Sequence, residues 1–502
     1  MKNNYKNLHT TSNARRSSNS KESRINHNEV RPWAALWAVS AGFFMIMLDT
    51  TIVAIAQPQL QANLHTSLSL VIWASTAYMV AYAVPMLFTG RLGDQYGPRI
   101  IYVSGLIVFT VASAWCGFST SISMLIAARI VQGLGAALMG PQTLAVVNRL
   151  FTGKSRGYAM SAWSAVQGSA TLLGPILGGF FVSFLNWRWI FFVNIPIGLI
   201  AVFCALRFIP HFAGHSHRFD LPGIVLSFTG LTALILTIQE GTSLKAPAFW
   251  ALLVGAFALL TCFVLSQLRQ NEVLIPLRLF RNRDFSLSIA ALVLSSLAVN
   301  AQLIPVMYYL QRVMGMSALL AALTAISMPV ATVVLARFVG KTIARLHPAA
   351  ILTPAFLLAT TGSLILQYAM NPGRSTLLVT AGYAVFGVGI AFVWPPLATY
   401  SLRRVAPTDH GAASGIFNTM RIVGGVIGMA AMGAIIEMQL ASLGSGGGQA
   451  KASAVLSPGP YRTAYSRVLE TSTWLPVVSF AIGAVISLGF AFGKTIGPNE
   501  EK

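Results

Sequence analysis

Two ionisable residues of this chain stand in long, largely apolar runs. Asp49 lies in Met45-Ile46-Met47-Leu48-Asp49-Thr50-Thr51-Ile52-Val53, and Arg129 in Leu125-Ile126-Ala127-Ala128-Arg129-Ile130-Val131. An ionised group in hydrocarbon costs about 2.5–3.5 kcal/mol even on insertion scales, so each such residue is a candidate for function. A carboxylate suits proton carriage, because burial raises its affinity for protons and a nearby cation or charged substrate lowers it. The same two residues would also serve as a static ion pair that fixes helix packing. Arg421 is a third intramembrane charge. It either faces a cavity or satisfies backbone carbonyls at a glycine-rich helix contact. Glu240 and Glu437 fall at the ends of apolar runs, where solvated anchors are expected.

The elements that position these groups follow from composition. Of 502 residues, 55% are hydrophobic and 9% charged, against roughly a quarter charged in soluble proteins. Runs long enough to cross about 30 Å of hydrocarbon recur along the chain. Fourteen are predicted, near 33–57, 70–89, 99–119, 121–147, 157–184, 187–207, 221–240, 248–268, 285–310, 317–340, 349–369, 376–400, 411–438 and 472–493. Asp49 is then ~24 Å along the first span, and Arg129 ~12 Å along the oppositely running fourth. Both fall in the outer half at similar depth.

The net charge of +21 does not indicate a nucleic-acid partner. With the first span starting in the cytoplasm, about 25 of the 34 Lys and Arg residues sort to that side, the positive-inside pattern. Both termini are expected there, as are the loops near 208–218 and 269–284, while 439–471 is expected outside. Residues 1–32, polar and basic, read as a disordered cytoplasmic tail with no cleavable signal. Gly444-Ser445-Gly446-Gly447-Gly448 lacks the Gly-Lys-Ser/Thr of a phosphate loop. His211, His215 and His217, accompanied only by Asp220, read as a basic loop rather than a metal site. Cys116, Cys204 and Cys262 lie within spans without pairing logic. No cofactor, metal or catalytic constellation is expected.

The chain repeats itself. Gly133-Leu134-Gly135-Ala136-Ala137 followed by Pro141 recurs as Gly387-Val388-Gly389-Ile390-Ala391 followed by Pro395. Ser67 maps onto Ser317, Gly174 onto Gly428, and Gly179 onto Gly433. Two homologous halves are therefore expected, and apolar chains built this way are commonly transporters. The predicted organisation is an all-α polytopic membrane protein: a six-helix bundle over 33–208, an inserted helical hairpin over 219–270, and a second six-helix bundle over 284–494. In the fifth span, Gly174-Pro175-Ile176-Leu177-Gly178-Gly179 predicts a kinked helix with close contacts. Tyr78, Trp163, Gln167, Tyr308, Tyr309, Trp394, Asn418 and Arg421 are the candidate cavity residues.

These residues resemble a known family. Gly90-Arg91-Leu92-Gly93-Asp94-Gln95-Tyr96-Gly97-Pro98-Arg99 resembles the signature loop of the major facilitator superfamily, and Arg129 to Gly135 its fourth-helix motif, linked to proton transfer. Gly174 to Gly179 resembles its antiporter motif. Leu48 to Val53, with Trp187-Arg188-Trp189-Ile190-Phe191-Phe192-Val193-Asn194-Ile195-Pro196, is similar to fourteen-span drug:proton antiporters of the EmrB/QacA type. The resemblance implies the major facilitator fold, proton coupling through Asp49 and Arg129, and conformational roles for Gly90, Asp94, Arg99, Gly174, Pro175, Gly178 and Gly179. It implies a monomeric exporter, driven by the proton gradient, that moves lipophilic, cationic compounds across a bacterial cytoplasmic membrane by alternating access. Accessory efflux proteins would join only where the host has an outer membrane. A dedicated exporter of one antibiotic or metabolite is the alternative, and a non-transporting receptor or scaffold a distant one.

Overall fold

The structure, a computed structural model, describes residues 31–151, 153–212, 220–241, 244–269, 276–406, 409–442 and 459–492. The N-terminal tail to residue 30, the glycine run at 444–448, His215 and His217 lie outside the described residues, as does the side chain of Asp94. Fourteen described helices are long and apolar enough to cross a membrane. In chain order they are α1 (Pro32–Asn63), α2 (Leu68–Met86), α3 (Pro98–Gly117), α4 (Ile122–Leu150), α5 (Tyr158–Phe184), α6 (Trp189–Phe208) and α7 (Pro222–Glu240). Then follow α8 (Ala246–Arg269), α9 (Arg283–Val313), α10 (Ala318–Ala336), α11 (Pro348–Ala369), α12 (Leu377–Leu402), α13 (Ala412–Ser442) and α14 (Pro460–Ala491). Helix α2 runs on past the span to Tyr96.

Local chemistry sets the ends of these helices. Pro32, Pro98 and Pro348 stand at helix starts, where a missing N–H costs nothing. Ser67 caps α2 through the Leu70 N–H, and its repeat equivalent Ser317 caps α10 through the Leu320 N–H. Pro395 and Pro396 interrupt α12 between Ala391 and Trp394, because each removes a backbone donor and crowds the preceding turn. The last helix departs from the sequence expectation. Residues 460–471, expected as external loop, are helical and lead through Ser472 into the final span with only a break at Thr473. Tyr465, Val468, Leu469 and Ser472 bury one face, so the segment is amphipathic rather than irregular.

Helices α1–α6 form one bundle and α9–α14 the other. The repeat is visible in packing as well as in sequence. A Cβ on Gly135 would stand 2.6 Å from the Phe109 nitrogen of α3; on Gly389 it would stand 2.6 Å from the Ala359 nitrogen of α11. Both glycines are therefore where two helices meet backbone to backbone. The bundles meet along two equivalent seams, α2 against α13 and α5 against α10. The hairpin α7–α8 covers the first seam, its α7 touching both α2 and α13.

Glu240 and Glu437, expected as solvated anchors, both grip α2, Glu437 across that seam and Glu240 from the hairpin. Glu437 Oε1 accepts the Ser69 N–H at 2.7 Å, and Glu240 Oε1 accepts the Trp73 indole N–H at 2.7 Å and the Ser69 hydroxyl at 3.2 Å. Gln239 adds hydrogen bonds to the Ser69 carbonyl and the Thr76 hydroxyl, both at 3.0 Å. Far from Pro32, more ties join the bundles. Gln311 Nε2 donates to Ile55 O at 3.0 Å, Arg312 Nη1 to Gln61 Oε1 at 3.1 Å, and the Leu319 N–H to Ser183 Oγ at 3.0 Å.

Candidate functional site

Asp49 and Arg129 meet in the first bundle, fully enclosed at 0% and 1% exposure. Arg129 Nη1 lies 2.5 Å from Asp49 Oδ2 and 2.7 Å from Gln132 Oε1, while its Nε donates to the Ala74 carbonyl at 3.0 Å. Gln132 Nε2 donates to the other carboxylate oxygen of Asp49 at 3.0 Å and to Ser113 Oγ at 3.3 Å. Asn194 Nδ2 donates to the same Ser113 oxygen at 3.0 Å, and that hydroxyl donates to Phe191 O. The guanidinium carbon lies 4.0 Å from the Tyr78 ring centroid. Helix α4 presents Arg129 and Gln132 one turn apart on one face, which lets both grip a single carboxylate. A buried pair of this kind holds only when its remaining donors and acceptors are also satisfied, and here most are. Protonating Asp49 would remove the charge that this arrangement is built around.

Gln132, Ser113 and Asn194 are functional candidates to which the sequence alone assigns no role. A neutral polar residue in a span carries little penalty, so it gives little signal. The i, i+3 spacing of Arg129 and Gln132 is the one clue the sequence holds.

Between the bundles, on the Pro32 side of Asp49, lies a cavity of about 450 Å³. Trp163, Gln167, Trp394, Asn418 and Arg421 line it, together with Phe43, Tyr82 and Phe417. Tyr78, Tyr308 and Tyr309 are elsewhere. Tyr78 lies under Arg129, Tyr308 is wholly buried in the second bundle, and the Tyr309 hydroxyl donates to Asn371 O at 2.9 Å. The Tyr78 and Tyr82 rings stand 6.2 Å apart, so one ring pair separates the cavity from the ion pair.

The glycine motif of α5 joins both regions. A Cβ on Gly178 would come within 2.8 Å of Ile52 Cγ1, and one on Gly174 would press on Thr51, so α5 lies against the turn carrying Asp49. Gly179 faces the other bundle, its Cβ position 2.7 Å from Leu319 Cα. The signature loop is stitched within the first bundle. Gln142 Nε2 donates to Thr89 O at 2.6 Å in front of Gly93, and Gly97 turns the chain at φ +90°, where a side chain would be strained. Gly90 sits over Pro141, and Arg99 Nη1 stands 2.8 Å from His211 Nδ1 with its other nitrogen on Leu206 O.

Two homologous six-helix bundles around a central cavity, with a buried ion-pair network beside it, define a polytopic transporter rather than an enzyme. Residues 39–429 match the Major Facilitator Superfamily, and the chain belongs to that family. It is 40% identical over 466 residues to an uncharacterised MFS-type transporter of Mycobacterium tuberculosis, covering 91% of this chain and 80% of that one. It is 32% identical over 417 residues to the tetracenomycin C resistance and export protein of Streptomyces glaucescens, covering 82% and 77%. Against the multidrug transporter protein MdtP of Bacillus subtilis it is 30% identical over 412 residues, covering 80% and 74%. Among solved structures, a bacterial homologue of the human lysosomal transporter Spinster shares the fold, with a TM-score of 0.63 at 15% identity over 92% of this chain and 97% of that one.

Proposed function

We propose that the chain is a proton-coupled exporter of drugs or toxic lipophilic compounds across the cytoplasmic membrane of a bacterium, with both termini inside. The observation that carries this reading is the enclosed Asp49–Arg129–Gln132 network, one ring pair away from a cavity between two bundles. Asp49 takes up a proton, and its pairing with Arg129 weakens. Helix α5, pressed against Asp49's turn on one side and α10 on the other, transmits that change to the seam between the bundles. With the Pro32 end in the cytoplasm, the cavity receives substrate from inside while the far ends of the bundles are tied. The names of the drug and antibiotic exporters it resembles support this substrate class, and the chain acts as a monomer without a cofactor.

Inverted vesicles containing the protein are expected to accumulate a fluorescent lipophilic substrate when the lumen is acidified, and a protonophore should abolish the uptake even with ATP present. Asp49→Asn should reduce uptake to background at matched protein level, because the amide keeps the shape but cannot ionise. Undiminished uptake by that variant would assign Asp49 to packing. A dedicated exporter of a single antibiotic is the second reading, favoured by the similarity to the tetracenomycin C export protein. A one-compound resistance profile would select it.

A further inference from the structure

The cavity has a charge character that the family resemblance does not convey. Among the described residues, no aspartate or glutamate lines it, and Arg421 is its one charged side chain. That guanidinium makes no hydrogen bond or ion pair among the described residues; its carbon stands 5.8 Å from the Trp394 ring centroid. A second donor is also unused, for the indole N–H of Trp163 is buried without a partner among the described residues. By contrast, the other arginine within a span, Arg129, donates to three acceptors.

An unpaired guanidinium in a space walled by aromatic rings sets up a positive potential that solvent screens weakly. Its planar fork matches the two oxygens of a carboxylate, or a phenolate with a neighbouring carbonyl. The rings of Phe43, Tyr82, Trp163 and Trp394 offer faces for stacking. Aromatic walls attract cations too, by roughly 0.5–2 kcal/mol. Here, however, Arg421 already occupies the Trp394 side and repels a second positive charge. That charge disfavours a cationic ligand in this cavity. A volume of about 450 Å³ suits a ligand of a few fused rings.

We propose that the ligand of this cavity is a planar, multi-ring aromatic anion whose carboxylate or phenolate pairs with Arg421 while its rings lie among Trp163, Trp394 and Tyr82. This rests on the reading of the cavity as the transport site, and names its substrate class.

The test uses two dyes with the same three-ring xanthene skeleton and opposite charge, fluorescein and rhodamine 123. Binding to the purified full chain in detergent is read by fluorescence anisotropy, without any gradient or transport. Fluorescein is expected to bind at least about tenfold more tightly than rhodamine 123. Arg421→Gln should erase that preference by weakening fluorescein, Arg421→Lys should keep part of it, and Arg421→Glu should reverse it. Thermal melts confirm that each variant is folded, and Arg421→Lys keeps the comparison valid if the other variants are not. Tighter binding of rhodamine 123 to the unaltered protein, equal fluorescein affinity in Arg421→Gln, or binding of neither dye would overturn the proposal. Uptake into inverted vesicles separates the two readings. Fluorescein binding without proton-driven uptake of any dye would sink the exporter while leaving the ligand class standing. Proton-driven uptake of rhodamine 123 without fluorescein binding would do the reverse.

Discussion

Arg129 distributes its donors over three acceptors, and the consequence is that Asp49 is held from two sides, by the guanidinium and by the Gln132 amide. Removing Gln132 should therefore loosen the pair without eliminating the carboxylate. Gln132→Leu leaves a donor of Arg129 and an oxygen of Asp49 unpaired in a dry site, a loss of about 1–3 kcal/mol. The expected outcome is a lower melting temperature in detergent and reduced, still proton-dependent, uptake in vesicles, in contrast to the complete loss in Asp49→Asn. At this scale the sequence was partly legible. Charged residues in spans announce themselves through their cost, so Asp49 and Arg129 stood out, and Arg421 with them. Tyr78, Tyr308 and Tyr309 did not reveal which way they face. In a helix surrounded by lipid on one side and other helices on the rest, both faces are apolar, and the polarity contrast that marks an inward face is missing.

Helix α5 is the element whose small residues matter most, since it touches α1 through Gly174 and Gly178 and α10 through Gly179. At Gly179 the atoms in the way are backbone, Leu319 Cα at 2.7 Å and Ala318 O at 3.0 Å, so a side chain there cannot be accommodated by a rotamer change. Gly179→Val should force the bundles apart at this seam, at a cost of about 1–3 kcal/mol. A fall in melting temperature together with lost uptake is expected; an unchanged melt would show that the seam tolerates separation. Helix positions were legible because a long uncharged apolar run, repeated many times, suits the interior of a bilayer and little else. The start of α14 was not, because Tyr461 to Ser472 mixes Arg, Thr, Ser and Glu with its apolar positions and reads as loop when only mean hydropathy is followed.

For the whole molecule, the bundles are tied at one end and enclose a cavity toward the other, and alternation requires the ties to break. Gln311 and Arg312 hold Ile55 and Gln61 across that end. In Gln311→Ala combined with Arg312→Ala, spin labels at Asn63 and Met314 should report a longer mean separation than in the unaltered protein. An identical distance distribution would place the closing force in the apolar seam instead. The two-half architecture was legible through its repeated glycines, and the hairpin through its lying outside the repeat. That the hairpin packs on the α2–α13 seam rather than on its α5–α10 equivalent was not legible, since pseudo-symmetric halves offer it two equivalent places.

The Tyr78–Tyr82 ring pair carries a consequence for how two cargoes can share one machine. Neither Asp49 nor Arg129 lines the cavity, so a bound substrate does not touch the carboxylate and cannot simply push its proton off. Under the proposed proton coupling, exchange by displacement, in which both compete for one spot, gives way to exchange through energy linkage. Whatever factor protonation applies to substrate affinity, substrate must apply to proton affinity in return. On that reading the carboxylate answers to which way the bundles lean rather than to the shape of the cargo. A cavity wall could then be rebuilt for new compounds while the proposed proton step is kept.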